Sequence, residues 1–207
     1  MTRRLIRRLT KDFYVRDALS VARELIGCVL VHDEPEGKTA VRLVETEAYR
    51  GRIDPGSHGF RGPTPRTEVM YGPPGRLYVY FTYGMHWCAN IVCAREGECE
   101  AVLLRAGEPA AGLDLMRARR SAVTKDTLIA AGPARLAQAM GIGKEHNGAT
   151  LLRGGEFHCY EDEVTDDYRA AEIAQTVRIG LSEGKGEDLE WRFAVPNHAH
   201  TSRRDVS

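Results

Sequence analysis

The stretch of residues 38–49 limits the possible folds of this chain more than any other part of the sequence. Its β-branched residues predict a long strand, in which successive side chains point to opposite faces. Two carboxylates then share one face with apolar and aromatic side chains, in the order Val41, Leu43, Glu45, Glu47 and Tyr49. Either this face leaves the core near Glu45, or a carboxylate lies in a pocket, where burial raises its pKa toward that of a general base.

Segments on either side of this strand predict further strands together with helices. Residues 15–26 carry apolar side chains at helical spacing and stop at Gly27. Residues 76–83 and 87–93 flank a short connection that contains Gly, which is typical of a β-hairpin. The same reasoning predicts strands at 28–32, 100–105, 158–161, 175–181 and 189–195, and helices at 113–122 and 133–140.

No repeat or linker divides the sequence, so we predict a single α+β domain over residues 1–207. Within it we expect a basic arm at residues 1–12 and a frayed polar tail at residues 197–207. Residues 50–75 are rich in Gly, Pro and Arg, and a loop of this length is usually functional or disordered; we favour function. No apolar run approaches the ~20 residues of a membrane span, and the N-terminus lacks the apolar stretch of a secretory signal, so we expect a cytoplasmic protein.

The charge distribution is more informative than the formal net charge of zero, which by itself counts against a nucleic-acid partner. Residues 1–12 and residues 115–135 each carry five basic side chains against one acidic side chain. Residues 155–190 carry eleven acidic side chains against three basic ones. This asymmetry is compatible with a basic face toward phosphates and an acidic back, or with two solvated faces that bind nothing.

Cysteines and histidines give little sign of a metal site or a disulfide framework. The five cysteines are an odd number and contain no C-x-x-C pair. His32, His146 and His158 have no partner at metal-ligand spacing, and His198 and His200 lie in the predicted tail. We therefore expect neither a metal nor another cofactor.

Aromatic residues are unusually dense between residues 71 and 87. Strand spacing places Tyr78 and Tyr80 on one face, and Phe81 and Tyr83 on the other. Such residues usually form core or cross-strand pairs. The functional alternative is a platform for flat bases, because each base that stacks on an aromatic ring contributes about 1–3 kcal/mol.

Several short motifs, taken in order, resemble the 3-methyladenine (alkyladenine) DNA glycosylase family. The dense part of the resemblance covers residues 17–141, and a looser part continues through residues 178–180 to residues 191–193. Many ordered motifs at matching separations are far more specific than one short motif. They are Leu-Val-Glu-Thr-Glu-Ala-Tyr at 43–49, His58, Thr-Pro-Arg at 64–66, Pro-Gly-Arg-Leu-Tyr-Val-Tyr at 74–80, Tyr-Gly-Met at 83–85, Asn90 and Val-Leu-Leu-Arg-Ala at 102–106.

The resemblance implies a role for each matching residue of the active site. Glu47 matches the general base that activates water, and Arg105 matches the residue that helps to hold this water and the flipped nucleotide. Asn90 matches a pocket wall that excludes the amino group of guanine. The residues expected to contact the base are Tyr49, His58 and Tyr80, with Ala48 beside them.

The resemblance also implies a DNA partner and a fold. Tyr83 matches a wedge inserted where the base was, and Met85, Arg66 and Arg76 are expected to contact DNA. The expected partner of a monomeric chain is double-stranded DNA with a damaged purine, and the expected fold is a curved, mostly antiparallel sheet or partial barrel with surrounding helices and a protruding hairpin. No Lys matches a Schiff-base nucleophile, so we predict a monofunctional enzyme that leaves an abasic site.

Two other classes of function stay open. Glu45, Glu47 and the tyrosines also suit a carbohydrate glycosidase, because a carboxylate pair and aromatic platforms recognise sugars. That interpretation leaves Tyr83, Asn90 and Arg105 without roles. The other alternative is a nucleic-acid-binding module of the same fold without catalysis.

Overall fold

The computed structural model describes residues 5–82 and 84–202. Within these residues, one antiparallel sheet of nine strands stays open and five α-helices surround it, which confirms the predicted single α+β domain. The strands are β1 (Leu5–Arg8), β2 (Val29–Glu34), β3 (Gly37–Arg50), β4 (Leu77–Thr82), β5 (His86–Cys93), β6 (Glu100–Ala111), β7 (Phe157–Asp162), β8 (Ala174–Thr176) and β9 (Arg192–Ala194). The helices are α1 (Lys11–Tyr14), α2 (Ala18–Leu25), α3 (Leu113–Arg119), α4 (Pro133–Ala139) and α5 (Thr165–Ala170). Among the described residues, every helix is too short or too polar to cross a lipid bilayer.

Strand β3 is the centre of the sheet and carries the residues that the sequence singled out. Its first half pairs with β2, its second half pairs with β9, and β6 runs along the other edge. The β3–β6 register shifts on both sides of Glu45, so Val44 and Arg105 have no directly opposite partner. Irregularities of this kind re-aim the side chains that follow them.

The shift in register corrects the predicted faces of β3. Val41 and Leu43 belong to the main hydrophobic core, as Ala48 does. Tyr49, in contrast, lines a pocket on the opposite face, and Glu47 bonds its hydroxyl. Simple alternation predicted one face for Val41, Leu43, Glu47 and Tyr49. This prediction was wrong because one extra residue in a strand moves every side chain after it to the other face.

Helix α2 supports β3 from the core side. Asp17 caps its N-terminus by accepting hydrogen bonds from the backbone N–H groups of Leu19 and Ser20. Gly27 follows its end with a φ of +85°, where a Cβ atom would lie 2.6 Å from the Cβ of Tyr168. From β3, the hydroxyl of Thr46 donates to the carbonyl of Ala22 and fixes the helix against the strand.

The described segments next to both termini differ from the prediction, and residues 1–4 and 203–207 lie outside the described residues. Residues 5–8 form edge strand β1 against β7, so this part of the expected arm belongs to the sheet. Residues 197–202 are not frayed, because Thr201 is buried and Ser202 bonds the carboxylate of Glu45. These contacts have no local signal in the sequence, since both depend on residues more than a hundred positions away.

The predicted hairpin is formed by β4 and β5, with Met85 in its turn and 69% exposed. The long loop before it contains two short 3-10 helices, Gly51–Ile53 and Glu68–Tyr71, and folds over the end of the sheet. Asp54 and Ser57 of this loop are buried. Hairpin and loop together enclose the pocket.

Candidate active site

The pocket has a volume of about 250 Å³ and opens beside the β4–β5 hairpin. This is near the small end of the range for small-molecule sites and suits one flat ring system better than a chain of sugars. Six segments build its wall: β3, the loop before β4, the hairpin, β6, the start of α4 and the stretch 179–181. The lining residues are Tyr49, Gly56, His58, Arg66, Met70, Tyr78, Tyr80, Thr82, Cys88, Asn90, Leu103, Arg105, Pro133, Ile179, Gly180 and Leu181.

Glu47 lies directly behind Tyr49 and Arg105, which line the pocket, and its side chain is fully buried. Its Oε1 accepts a hydrogen bond of 2.8 Å from the backbone N–H of Ile179 and lies 3.1 Å from Nη1 of Arg105. Its Oε2 accepts a 2.9 Å hydrogen bond from the hydroxyl of Tyr49. A carboxylate has about four acceptor positions, and the two hydrogen bonds together with the Arg105 ion pair occupy at most three of them.

Arg105 joins the two carboxylates of β3 in one buried cluster. Its Nε donates to Oε1 of Glu45 at 2.8 Å, while Nη1 reaches Glu47. Burial works to lower the pKa of Arg105, but the charges of Glu47 and Glu45 raise it above its usual value. Arg105 is therefore a fixed positive charge at the inner end of the pocket.

Glu45 is a structural acceptor and does not face the pocket. It bonds Arg105, Arg192, and both the backbone N–H and the hydroxyl of Ser202. Burial works to raise its pKa, but the charges of Arg105 and Arg192 lower it below its usual value. The prediction that burial raises the pKa of a carboxylate on this strand is wrong for Glu45, and the pair of glycosidase carboxylates is not available.

Tyr49 is held from behind by a second buried ion pair. Nη1 and Nη2 of Arg178 donate to the two carboxylate oxygens of Asp54 at 2.6 and 2.7 Å, and both side chains have no exposed surface. The guanidinium carbon of Arg178 lies 4.6 Å from the ring centroid of Tyr49, in a cation–π arrangement. One face of the Tyr49 ring is therefore covered, and the other is left for the pocket.

His58 and Tyr80 are both in the pocket, but they contact each other. Their ring centroids are 4.6 Å apart with an interplanar angle of 84°, an edge-to-face arrangement. A base stacked between two rings needs them about 7 Å apart, twice the usual carbon contact distance. The His58 and Tyr80 rings therefore leave no room for a base between them.

His58 is held as a neutral imidazole. Its Nδ1 lies 3.0 Å from the hydroxyl of Tyr78, and its Nε2 lies 3.5 Å from the guanidinium of Arg66. Burial, and to a lesser extent the positive charge of Arg66, lower the pKa of His58 to about 4. In an unfolded chain the pKa of His is about 6.5, so the stability that depends on neutral His58 is complete above pH 6.5 and is lost as the pH falls through about 4.

Arg66→Gln is expected to raise the pKa of His58, because it removes one of the two causes of the shift. An NMR titration of the His58 ring measures this directly. Arg76→Gln is the matched control, since Arg76 is also exposed but donates to the carbonyl of Gly148 and has no contact with His58. A His58 midpoint that moves equally in the two variants would contradict the assignment to Arg66.

Asn90 faces the pocket, whereas the side chain of Ala48 is buried in the main core. Asn90 lines the pocket and donates from Nδ2 to the carbonyl of Tyr78 across the hairpin, which fixes its amide. Ala48 is buried in the main core, and its backbone N–H and carbonyl bond Trp191 and Arg178. The prediction that Ala48 contacts a substrate is therefore wrong for its side chain.

Among the predicted DNA-contacting residues, Arg66 lines the pocket and Arg76 donates to the carbonyl of Gly148, whereas one lies outside the described residues. Tyr83 is outside them. Met85 is exposed in the hairpin turn, and Arg66 lies 5.6 Å above the ring of Tyr80. The exposed arginines Arg52, Arg61, Arg66 and Arg76 form no ion pair with another described residue.

The basic cluster at residues 117–120 is largely neutralised within the chain. Arg117 pairs with Asp114 and Asp126, and Arg119 pairs with Glu34. Arg120 donates to the backbone carbonyl of Leu128, the last residue of the 3-10 helix Asp126–Leu128. This cluster is therefore less available to phosphates than its sequence indicates.

The sequence did not predict several residues that complete the site. Asp54 lies in the long loop, and nothing in its local sequence indicates a buried charge. Arg178 and Arg192 belong to the looser part of the motif pattern, but no role was assigned to them. Their function follows only from contacts across more than 120 positions.

An aromatic pocket sized for one ring system, closed by a buried carboxylate–arginine pair, is the kind of site found in enzymes that act on a single heterocyclic base. Comparisons with known proteins agree. The methylpurine-DNA glycosylase family profile matches residues 12–199. A protein of Methanoculleus marisnigri named "Putative 3-methyladenine DNA glycosylase" is 48% identical over 197 residues, covering 95% of this chain and 99% of its own length.

Two bacterial proteins of the same name are similarly close. The one from Burkholderia lata is 46% identical over 196 residues, which cover 94% of this chain and 90% of that protein. The one from Streptomyces avermitilis is 44% identical over 206 residues, which cover 95% of this chain and 94% of that protein. The chain therefore belongs to the methylpurine-DNA glycosylase family, and the resemblance seen in its motifs is confirmed.

Proposed function

We propose that this chain removes alkylated purines, such as 3-methyladenine and 7-methylguanine, from duplex DNA and leaves an abasic site. The observation that carries the proposal is the buried Glu47–Arg105 pair directly behind an aromatic pocket of one-base size. An enzyme that attacks the sugar C1′ must first take the base out of the stack, and the pocket offers the space for it.

In the proposed reaction Glu47 is the general base. A water molecule at the free acceptor position of its carboxylate gives up a proton to Glu47 as the water oxygen bonds to C1′. The bond from C1′ to the purine nitrogen breaks, and its electron pair stays with the purine. Alkylation at N3 or N7 gives the purine a positive charge, so it leaves as a neutral base without a strong acid.

The pocket walls fit a cationic purine. Tyr49 and Tyr80 offer electron-rich ring faces, which attract cations, and neutral His58 adds no opposing charge. Asn90 is proposed to exclude the exocyclic amino group of guanine, since its amide is fixed by Tyr78. Tyr83 is proposed to fill the gap in the duplex, while Met85, Arg66 and Arg76 contact the flanking DNA.

Incubation of the protein with a methylated duplex tests the proposal, with release of methylated purines as the readout. Parallel duplexes with a single hypoxanthine or 1,N6-ethenoadenine define the range of lesions. Release from the methylated duplex and none from an unmodified duplex is expected. No release from any damaged duplex would show that the proposal is wrong.

A further inference from the structure

Three side chains from separate segments converge on one cavity beside β2. His32 lies on β2, His146 ends the 3-10 helix Lys144–His146, and Glu156 directly precedes β7. His32 pairs with Thr39 of β3, ten residues before Tyr49, and so lies roughly 30 Å along the strand from the candidate active site. The cluster is therefore separate from the pocket described above.

His32 has a nitrogen without a partner in a buried position. Its side chain is only 1% exposed, and Nδ1 donates a 2.8 Å hydrogen bond to the carbonyl of Met140. The proton is therefore on Nδ1, and Nε2 holds a lone pair that bonds no described residue. The ring stacks on Phe157 at 4.0 Å, which fixes the direction of this lone pair. Unsatisfied buried polar atoms are rare and point to a water or an ion.

Glu156 and His146 face this nitrogen. Oε2 of Glu156 lies 3.8 Å from Nε2 of His32, and its Oε1 lies 4.0 Å from Nε2 of His146. One ligand atom from each of the three residues lies within 4.8 Å of the others. Ligands of one tetrahedral zinc ion are about 3.3 Å apart, given bonds of about 2.0 Å. The half-exposed side chain of Glu156 can close this difference by moving inward.

His146 needs a change of tautomer to serve as a ligand. Its Nδ1 now accepts a hydrogen bond from the backbone N–H of Gly143, which leaves the proton on Nε2. Oε1 of Glu145 lies 3.4 Å from the same Nδ1. With a metal on Nε2, the proton moves to Nδ1, which gives up the hydrogen bond from Gly143 and donates to Glu145 instead. This is the usual arrangement of carboxylate, histidine and metal.

The cavity also has the charge that a cation requires. Four glutamates and one arginine line it, and the arginine, Arg119, is already paired with Glu34.

We propose that His32, His146 and Glu156 form a binding site for a divalent transition-metal ion, and that zinc fits it best. Two histidines and one glutamate are an established zinc ligand set, with a fourth position for water. In this chain the ion joins β2, the 3-10 helix Lys144–His146 and the residue just before β7. Contrary to the expectation from spacing, the ligands come together through the tertiary fold, because the three segments are far apart in sequence.

Titration of chelator-treated protein with Zn²⁺ alone tests the proposal by equilibrium dialysis and by thermal unfolding. We expect saturation at one zinc ion per chain and a higher Tm with zinc, since a ligand that binds only the folded state stabilises it. Glu156→Gln and His146→Asn are expected to weaken zinc binding at least about tenfold. Because Glu156 is half exposed, the first of these variants keeps the fold.

Matched controls separate this site from other histidines. His158→Gln removes a histidine on the adjacent strand that pairs with Asp33, and it should leave zinc binding unchanged. The double variant His198→Gln and His200→Gln should also keep it. Absence of saturable binding, or binding that only this double variant abolishes, would overturn the proposal and leave the cluster as aromatic packing.

Discussion

Glu47→Gln is expected to slow base release by about 10²–10⁴-fold, the usual contribution of a general base, while the variant still binds the damaged duplex. The amide keeps the shape of the side chain but cannot take a proton from water. Its carbonyl can still accept from Ile179, and its NH₂ group can donate to the oxygen of Tyr49, whose hydroxyl is free to rotate. The pocket therefore keeps its geometry.

Single-turnover release from methylated DNA, together with a binding titration on the same DNA, measures this effect. Glu45→Gln is the matched control, because it removes an equal charge from the same arginine without reaching the pocket. We expect Glu45→Gln to lose less activity than Glu47→Gln. Equal losses in the two variants would assign the effect to Arg105 and not to a proton transfer at Glu47.

Asp54→Asn is expected to lower the free energy of unfolding by about 3–5 kcal/mol, because it leaves the buried charge of Arg178 without its partner. For a chain of this length, that corresponds to a decrease in Tm of roughly 6–20 °C. The loop before β4 depends on the same carboxylate, which also accepts from the backbone N–H groups of Arg50 and Gly56.

Glu24→Gln provides the comparison for this prediction. Glu24 also binds both terminal nitrogens of an arginine, Arg16, but these side chains are 36–43% exposed. Exposed pairs contribute only about 0–1 kcal/mol. Urea unfolding of both variants measures the difference, and a loss in Asp54→Asn no larger than in Glu24→Gln would rule out the stabilising role of the buried pair.

Regular secondary structure was well predicted where the pattern is local. Strand β3 was predicted at residues 38–49 and extends over Gly37–Arg50, and α2 was predicted at 15–26 and extends over Ala18–Leu25. The hairpin was predicted because two strands next to a short turn need no distant partner. In contrast, β1 and α5 were missed, because each is short and is stabilised by contacts with remote segments.

The irregularity in β3 could not be predicted in the same way. The alternation of side chains along β3 is interrupted at Val44, although no Gly or Pro marks this position. The cause is the pairing with the neighbouring strands. Pairing with β2 ends near Arg42, and pairing with β9 begins at Glu45. A strand that changes its partner partway along its length carries no local signal of that change.

The candidate site was predicted mainly from the family motifs and less from the physical properties of the residues. Tyr49, His58, Tyr80, Asn90 and Arg105 do line one pocket, with Glu47 behind them. The residues that support them were not predicted, because an ion pair such as Asp54–Arg178 is defined by folding and not by spacing. The catalytic and DNA-binding roles of the predicted residues stay predictions.

The hydrogen bonds between Glu45 and Ser202 have a consequence for synthesis of the protein. They join residues 157 positions apart, so the carboxylate that holds Arg105 obtains these partners only after residue 202 has left the ribosome. Domains fold as units once their chain is available, and contacts of long range form late. A nascent chain therefore carries an incomplete site, and an affinity tag is best joined beyond residue 202 so that these bonds stay intact.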